Sequence, residues 1–280
     1  MLIRVIFNQK GGVGKSSIAV NLAAISGNEG FKTLVIDLDP QANSSQYLLG
    51  DDATYSTDKS ALEPNIENYF DDVLGTNQSK GLIGNALGNI LKNRSKGLDA
   101  FVHQSPFKNL DVIPASPSLG ALAHALESKH KIYKLRDALQ QLEGHYDRIF
   151  IDTPPAFNFF TLSALIAADR VLIPFDCDVF SKRALYTLIE NILETQDDHN
   201  DRLAIDGIVV NQYQHQAKLP KEVVQQLKDE GLPVLESMLP PSIIMKESHH
   251  KNLPLIYLAT EHKLTKAYQL LFNELEQHSR

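Results

Sequence analysis

The chain has a single cysteine, Cys177, so no intramolecular disulfide can form. It has no run of about 18 apolar residues, the length a helix needs to span a bilayer. Its first residues pass directly into a short apolar run, without the basic region and apolar segment of a secretion signal. A cytoplasmic location is the expectation. Positive charge is in deficit: 27 Lys and Arg stand against 34 Asp and Glu, a formal charge of −7. That excludes a global basic field for nucleic acid, so any such contact must come from local patches. No internal repeat, nucleophile elbow or thiol motif is present. His249 and His250 adjoin and point in different directions, which makes them a poor metal pair. What remains is 280 residues, enough to bury a large α/β core, with one domain expected over 1–280.

The most informative segment is Lys10-Gly11-Gly12-Val13-Gly14-Lys15-Ser16. A common phosphate loop reads Gly, four residues, then Gly-Lys-Ser/Thr. Here Gly14-Lys15-Ser16 fits, but Gln9 holds the first position and a second lysine follows it at Lys10. One lysine suffices to neutralise phosphates within a subunit, so the second needs its own reason. Leu2 to Phe7 has buried-strand length, and Ile18, Leu22 and Ile25 recur at helical spacing, with Gly27 and Gly30 as stop signals. Strand, glycine loop and helix thus stand in the order a nucleotide site requires. Backbone N–H groups from Gly11 to Ser17 can close on phosphates, helped by the positive end of the helix dipole. Lys15 should reach the β- and γ-phosphates, and the Ser16 hydroxyl should ligate Mg²⁺.

Two further strands end in carboxylates. Thr33 to Ile36 leads into Asp37-Leu38-Asp39-Pro40-Gln41, and Arg148 to Ile151 leads into Asp152-Thr153-Pro154-Pro155. Ligands of open α/β sheets lie at the carboxyl ends of the strands. Asp152 is expected to hold the metal through a water, and Asp37 or Asp39 could position an attacking water. Further strands are expected at Leu110–Ile113, Val171–Ile173 and Ile205–Val210. Helices are expected at Ile132–Leu142, Ser181–Thr195 with Ser181 as N-cap, Lys221–Asp229 and Lys263–Leu275. This alternation predicts a mostly parallel, doubly wound sheet with helices on both faces. Residues 50–107 are the least regular and read as a loop-rich helical insertion, with loops at Gly75–Lys80 and Asn93–Gly97.

The segments at 10–16, 37–41 and 151–155 resemble the deviant Walker A ATPases of the MinD/ParA P-loop superfamily, and within it most of all the ParA/Soj partition ATPases. The resemblance spans nearly the whole chain. It implies ATP and Mg²⁺ as ligands and slow hydrolysis to ADP and phosphate. It also implies an ATP-bound homodimer in which Lys10 crosses to the partner's nucleotide. Asp39 would orient or activate the hydrolytic water, with Asp37 nearer the metal. Asn211 would contact adenine, and the loop with Pro240 and Pro241 would lie along the base, although an asparagine there could equally cap a turn. A ParB-like or analogous protein would stimulate turnover. The lone cysteine argues against the iron–sulfur relatives, which need cysteine ligands.

The family resemblance further implies non-specific DNA binding by the ATP dimer, and hence association with the nucleoid. Candidate contacts are Lys182, Arg183, Lys218, Lys221, Lys246 and Lys251. Where the family often carries arginines, this chain has Gln216 and Pro241. The alternative is a positioning or regulatory ATPase that works through protein partners without DNA. A superfamily ligase or synthase is a third option, for which no substrate residues can be located. The last helix has Leu264, Ala267, Leu271 and Leu275 at helical spacing, but Glu274 and Glu276 would be repelled by anionic lipid. No membrane contact is expected.

Overall fold

The computed structural model describes residues 1–50, 62–75, 96–177 and 181–278. Its frame is a seven-stranded sheet: β1 (Leu2–Ile6), β2 (Thr33–Asp37), β3 (His103–Gln104), β4 (Leu110–Ile113), β5 (Arg148–Asp152), β6 (Arg170–Phe175) and β7 (Ala204–Val210). The order is β3-β4-β2-β5-β1-β6-β7, and every pairing is parallel except the short edge pair β3–β4. The parallel doubly wound fold expected from the alternation of strands and helices is therefore present.

Strand alternation builds a core on each face of the sheet. Ile3, Val5, Leu34, Ile36, Ile149 and Ile151 face one layer of helices. Ile6, Val35, Phe150 and Leu172 face the other, which contains α1 (Lys15–Asn28) and the terminal helix Lys263–His278. In α1 the apolar residues run nearly all round, because it is covered on several sides by the sheet, by α2 (Asn43–Leu49) and by the terminal helix. The apolar stripe of the terminal helix is likewise spent on the protein's own core: Leu264, Leu271 and Leu275 are all buried. Among the described residues no helix is long and apolar enough to cross a membrane.

Several boundaries moved for identifiable reasons. Gly27 does not stop α1; the helix runs on to Asn28, and Gly30, at φ +100°, makes the turn. Gly27 instead permits a close approach, since a Cβ there would meet the Lys108 carbonyl at 2.4 Å. β6 extends through Pro174 because β1 pairs with it only as far as Leu172, so no ladder bond from β1 needs a Pro174 N–H. The helix expected from Lys221 starts at Lys218, with Pro220 in its first turn, where a missing N–H is tolerated. The Ile132–Leu142 helix is shorter, Lys134–Gln140, and the 181 helix is longer, Ser181–His199. The Ser181 side chain lies outside the described set, as do 51–61 and 76–95, which hold most of the irregular stretch. Around those gaps stand a capped helix, Ile66–Leu74, and a 3₁₀ turn, Leu98–Phe101. Gly75 closes the former in a left-handed conformation.

Candidate active site

Strand register assembles the site. Asp37 at the end of β2 lies opposite Asp152 at the end of β5, and Asp152 lies opposite Ile6 at the end of β1. The chain then leaves β1 into the phosphate loop, so both carboxylates flank its root. Gly14 adopts φ +91° at the cap of α1, and a Cβ there would meet the Asn211 amide at 2.4 Å. Glycine is required at this position on both counts.

The chemistry-bearing side chains are largely buried. Lys15 is only 6% exposed, and its ammonium donates to the Lys10 carbonyl at 3.1 Å. Desolvation pulls its pKa down, while the charges of Asp152 and Asp39 pull it back up. Asp37 and Asp152 are fully buried side by side. Burial raises both, and the neighbouring Asp152 charge raises Asp37 further. Asp39 is also raised by desolvation, against the Gln41 amide and the Lys15 charge, which lower it.

The two strand-end carboxylates differ in what protein groups they hold. Asp37 accepts from the Asp39 amide at 3.0 Å, from the Ser45 amide at 2.9 Å and from the Ser45 hydroxyl at 2.7 Å. Those bonds brace the loop to α2. Asp152 accepts from Ser44 at 2.7 Å through Oδ2, and Ser16 also bonds to this carboxylate. Its Oδ1 is buried without any protein hydrogen-bond partner. A hydroxyl and an unsatisfied carboxylate oxygen are the hard donors that Mg²⁺ takes, alongside water and phosphate oxygens. Ser16 and Asp152 therefore fit the metal, whereas both oxygens of Asp37 are already engaged by protein donors. No cluster of three or more His, Cys, Asp or Glu side chains suited to a metal occurs among the described residues.

The loop opens onto two adjoining cavities. One, of about 520 Å³, is lined by Gly11, Gly12, Gly14, Lys15, Ser16, Ser17, Asp39 and Tyr47, among others. The other, of about 940 Å³, is bounded by Asn211, Pro240, Pro241 and Met245. Val13 points into the protein and is buried. Asn211 donates to the Val13 carbonyl at 2.9 Å and accepts from the Gln212 amide at 2.9 Å, so it braces the loop from the side of the second cavity. The turn-forming alternative for this residue is thus part of its role. Lys10 lines neither cavity, and its ammonium pairs with Asp176 at 2.7 Å.

Sequence patterns did not reveal the support residues. Ser44, Ser45 and Tyr47 follow the Asp-Pro-Gln segment, and two hydroxyls on the first turn of a helix after a carboxylate loop were the available signal. Asp176 had none. The DNA candidates are not gathered into one patch by any contact. Lys182 pairs with Glu230 at 2.6 Å and Lys218 with Glu222 at 3.4 Å, while Arg183, Lys221, Lys246 and Lys251 are exposed.

A family model described as an AAA domain matches residues 1–205. The chain is 31% identical over 272 residues to the chromosome partitioning protein ParA of Myxococcus xanthus, covering 96% of this chain and 86% of that one. It is 29% identical to the chromosome-partitioning ATPase Soj of Treponema pallidum, over 97% and 95% of the two chains. Its fold matches cobyrinic acid a,c-diamide synthase from Mycobacterium smegmatis, solved with an ATP analogue and magnesium. There the TM-score is 0.78 at 23% identity, covering 100% of this chain and 96% of that one. With a lysine-rich glycine loop on β1, carboxylates on β2 and β5, and full-length relatives of this kind, the chain belongs to the ParA/Soj family of P-loop partition ATPases.

Proposed function

We propose that the chain, as one ATPase domain over 1–280, is an ATP-fuelled dimeric switch in chromosome or plasmid partitioning that uses non-specific DNA as its matrix. ATP binds with its phosphates on the loop from Gly11 to Ser17 and its base towards Asn211, Pro240 and Pro241. Ser16 and Asp152 hold Mg²⁺, which supplies charge neutralisation for the phosphates. Lys15 meets the β- and γ-phosphates, and Asp39 orients the hydrolytic water. Lys10 leaves Asp176 and crosses to the partner's nucleotide, so each site is complete only in the dimer and ATP binding is linked to association. Loss of the γ-phosphate removes those contacts and lets the dimer open. A ParB-like protein stimulates the step.

The observation that carries this reading is a loop-lined cavity bounded by Lys15, Ser16 and Asp39, with Asp152 bonded to Ser16 behind it and its Oδ1 buried without a partner. A buried carboxylate oxygen without a partner is costly unless a ligand satisfies it. The DNA part rests on family membership and on the exposed Arg183, Lys221, Lys246 and Lys251. It is tested by binding to random-sequence duplex at low and moderate salt, with ATP, ADP or no nucleotide, using Asp39→Ala to hold the ATP state. Binding that needs ATP and weakens with salt supports the reading. A verified ATP dimer that ignores DNA would replace it with a switch acting through protein partners.

A further inference from the structure

We propose that His249 is a nucleotide-contact residue, placed to meet the sugar and α-phosphate of a nucleotide whose phosphates lie on the loop. This inference rests on the nucleotide reading above and adds a residue to it. Four residues line both cavities: Gly12, Gly14, Ser17 and His249. Three belong to the loop and the start of α1. His249 alone comes from the opposite wall, so a ligand that spans phosphate cavity and base cavity passes between the loop and this imidazole.

The side chain is built into its place. His249 Nε2 lies 2.9 Å from the Ser17 hydroxyl, and its ring stands edge-on to Tyr47 with centroids 5.0 Å apart at 88°. The preceding residue, Ser248, is fully buried; its hydroxyl bonds to Tyr47 and donates to the Leu253 carbonyl at 2.6 Å. Tyr47 receives a further bond from Asn21 of α1 at 3.3 Å. The backbone that carries His249 is thus pinned to both α1 and α2, while the imidazole itself faces the cavities and is exposed. A neutral imidazole offers one donor and one acceptor, which matches a ribose hydroxyl or a phosphate oxygen beside Ser17. Without nucleotide, Ser17 and His249 satisfy each other; with it, both have a ligand atom to meet.

The test measures ATP and ADP affinities of the full chain with Mg²⁺ for His249→Ala, His249→Gln and Lys15→Ala. Glutamine can present an amide where Nε2 stands. His249→Ala should weaken ATP and ADP alike, by about three- to tenfold, the size of one net hydrogen bond. His249→Gln should come back to within about twofold of the parent, and the nucleotide-free melting temperature should not move. Unchanged affinities in His249→Ala, or a loss confined to ATP, would overturn the assignment. So would a glutamine variant as weak as the alanine one, with a lower melting temperature in both, because that marks mere packing. Lys15→Ala separates the two levels: if it binds ATP as the parent does, the nucleotide reading itself fails.

Discussion

Two regions of the sheet differ in how they bury charge: the carboxyl end, where the site lies, and the region beneath the terminal helix towards the amino ends of the strands. Beneath the helix, opposite charges meet: Arg4 of β1 pairs with Asp206 of β7 at 2.5 Å, both side chains 1% exposed. Arg148 grips Glu276 through two nitrogens, at 3.1 and 2.5 Å, with its guanidinium over the Phe31 ring. At the carboxyl end, two carboxyl groups are brought together: Asp37 and Asp152 occupy paired register positions, and one Asp152 oxygen has no protein partner. The first arrangement pairs opposite charges and is architectural, although Asp206 Oδ1 is itself buried without a hydrogen-bond partner. The second sets two carboxyl groups side by side at the root of a loop that lines a cavity, and that combination marks it as the candidate working end.

This contrast can be broken experimentally, and the largest effect should come from Lys15. Lys15→Ala removes two charge-assisted phosphate contacts at about 1.5–3 kcal/mol each, so ATP affinity should fall at least about 10²-fold in a titration while the fold persists. Asp39→Ala should retain ATP and lose turnover by about 10²–10⁴-fold in a phosphate-release assay; retained turnover would move the water-orienting role elsewhere. The lower end should behave in the opposite way. Arg4→Met leaves Asp206 buried and unpaired, costing about 3–5 kcal/mol in denaturant unfolding, whereas Arg4→Met with Asp206→Leu should recover most of that. ATP affinity of the folded double variant should match the parent. The smallest effect sharpens the comparison at the site's rim. Asp176→Asn removes a partly exposed pair with Lys10, worth about 0–1 kcal/mol, and should raise ATP-dependent dimerisation by up to about fivefold in sedimentation. A fall in dimerisation would mean that Asp176 serves the dimer instead of competing with it.

Much of the working end was legible from the chain. Gly14-Lys15-Ser16 at the head of α1, Asp39 beyond β2 and Asp152 ending β5 are local patterns, each set by a strand, a turn and the residues just after it. The second cavity was legible only in part. Asn211 was readable as a polar residue ending a strand, but its bond to the Val13 carbonyl joins residues 198 positions apart, and no local rule contains it. His249 carried even less signal, since the side chains it meets are Ser17 and Tyr47 and not His250. Lys182 reads from sequence as a candidate DNA contact, and its ion pair with Glu230 joins the Ser181–His199 helix to the end of the Lys218–Asp229 helix. Lys218–Glu222, by contrast, is a local i,i+4 pair, hidden only because the sequence pattern starts that helix at Lys221.

By itself, then, the sequence determined the α/β alternation, the phosphate loop with its two lysines and the carboxylates at the strand ends. Those follow from hydrophobic period, glycine's conformational range and short-range order along the chain. Only the tertiary structure decided which carboxylate keeps an open oxygen, which serine braces which aspartate, that Lys10 rests on Asp176, and that His249 closes the wall between the two cavities. The reason is physical: a side chain's partners at 3 Å are chosen by strand order and helix docking, which bring together residues that no spacing in the sequence relates.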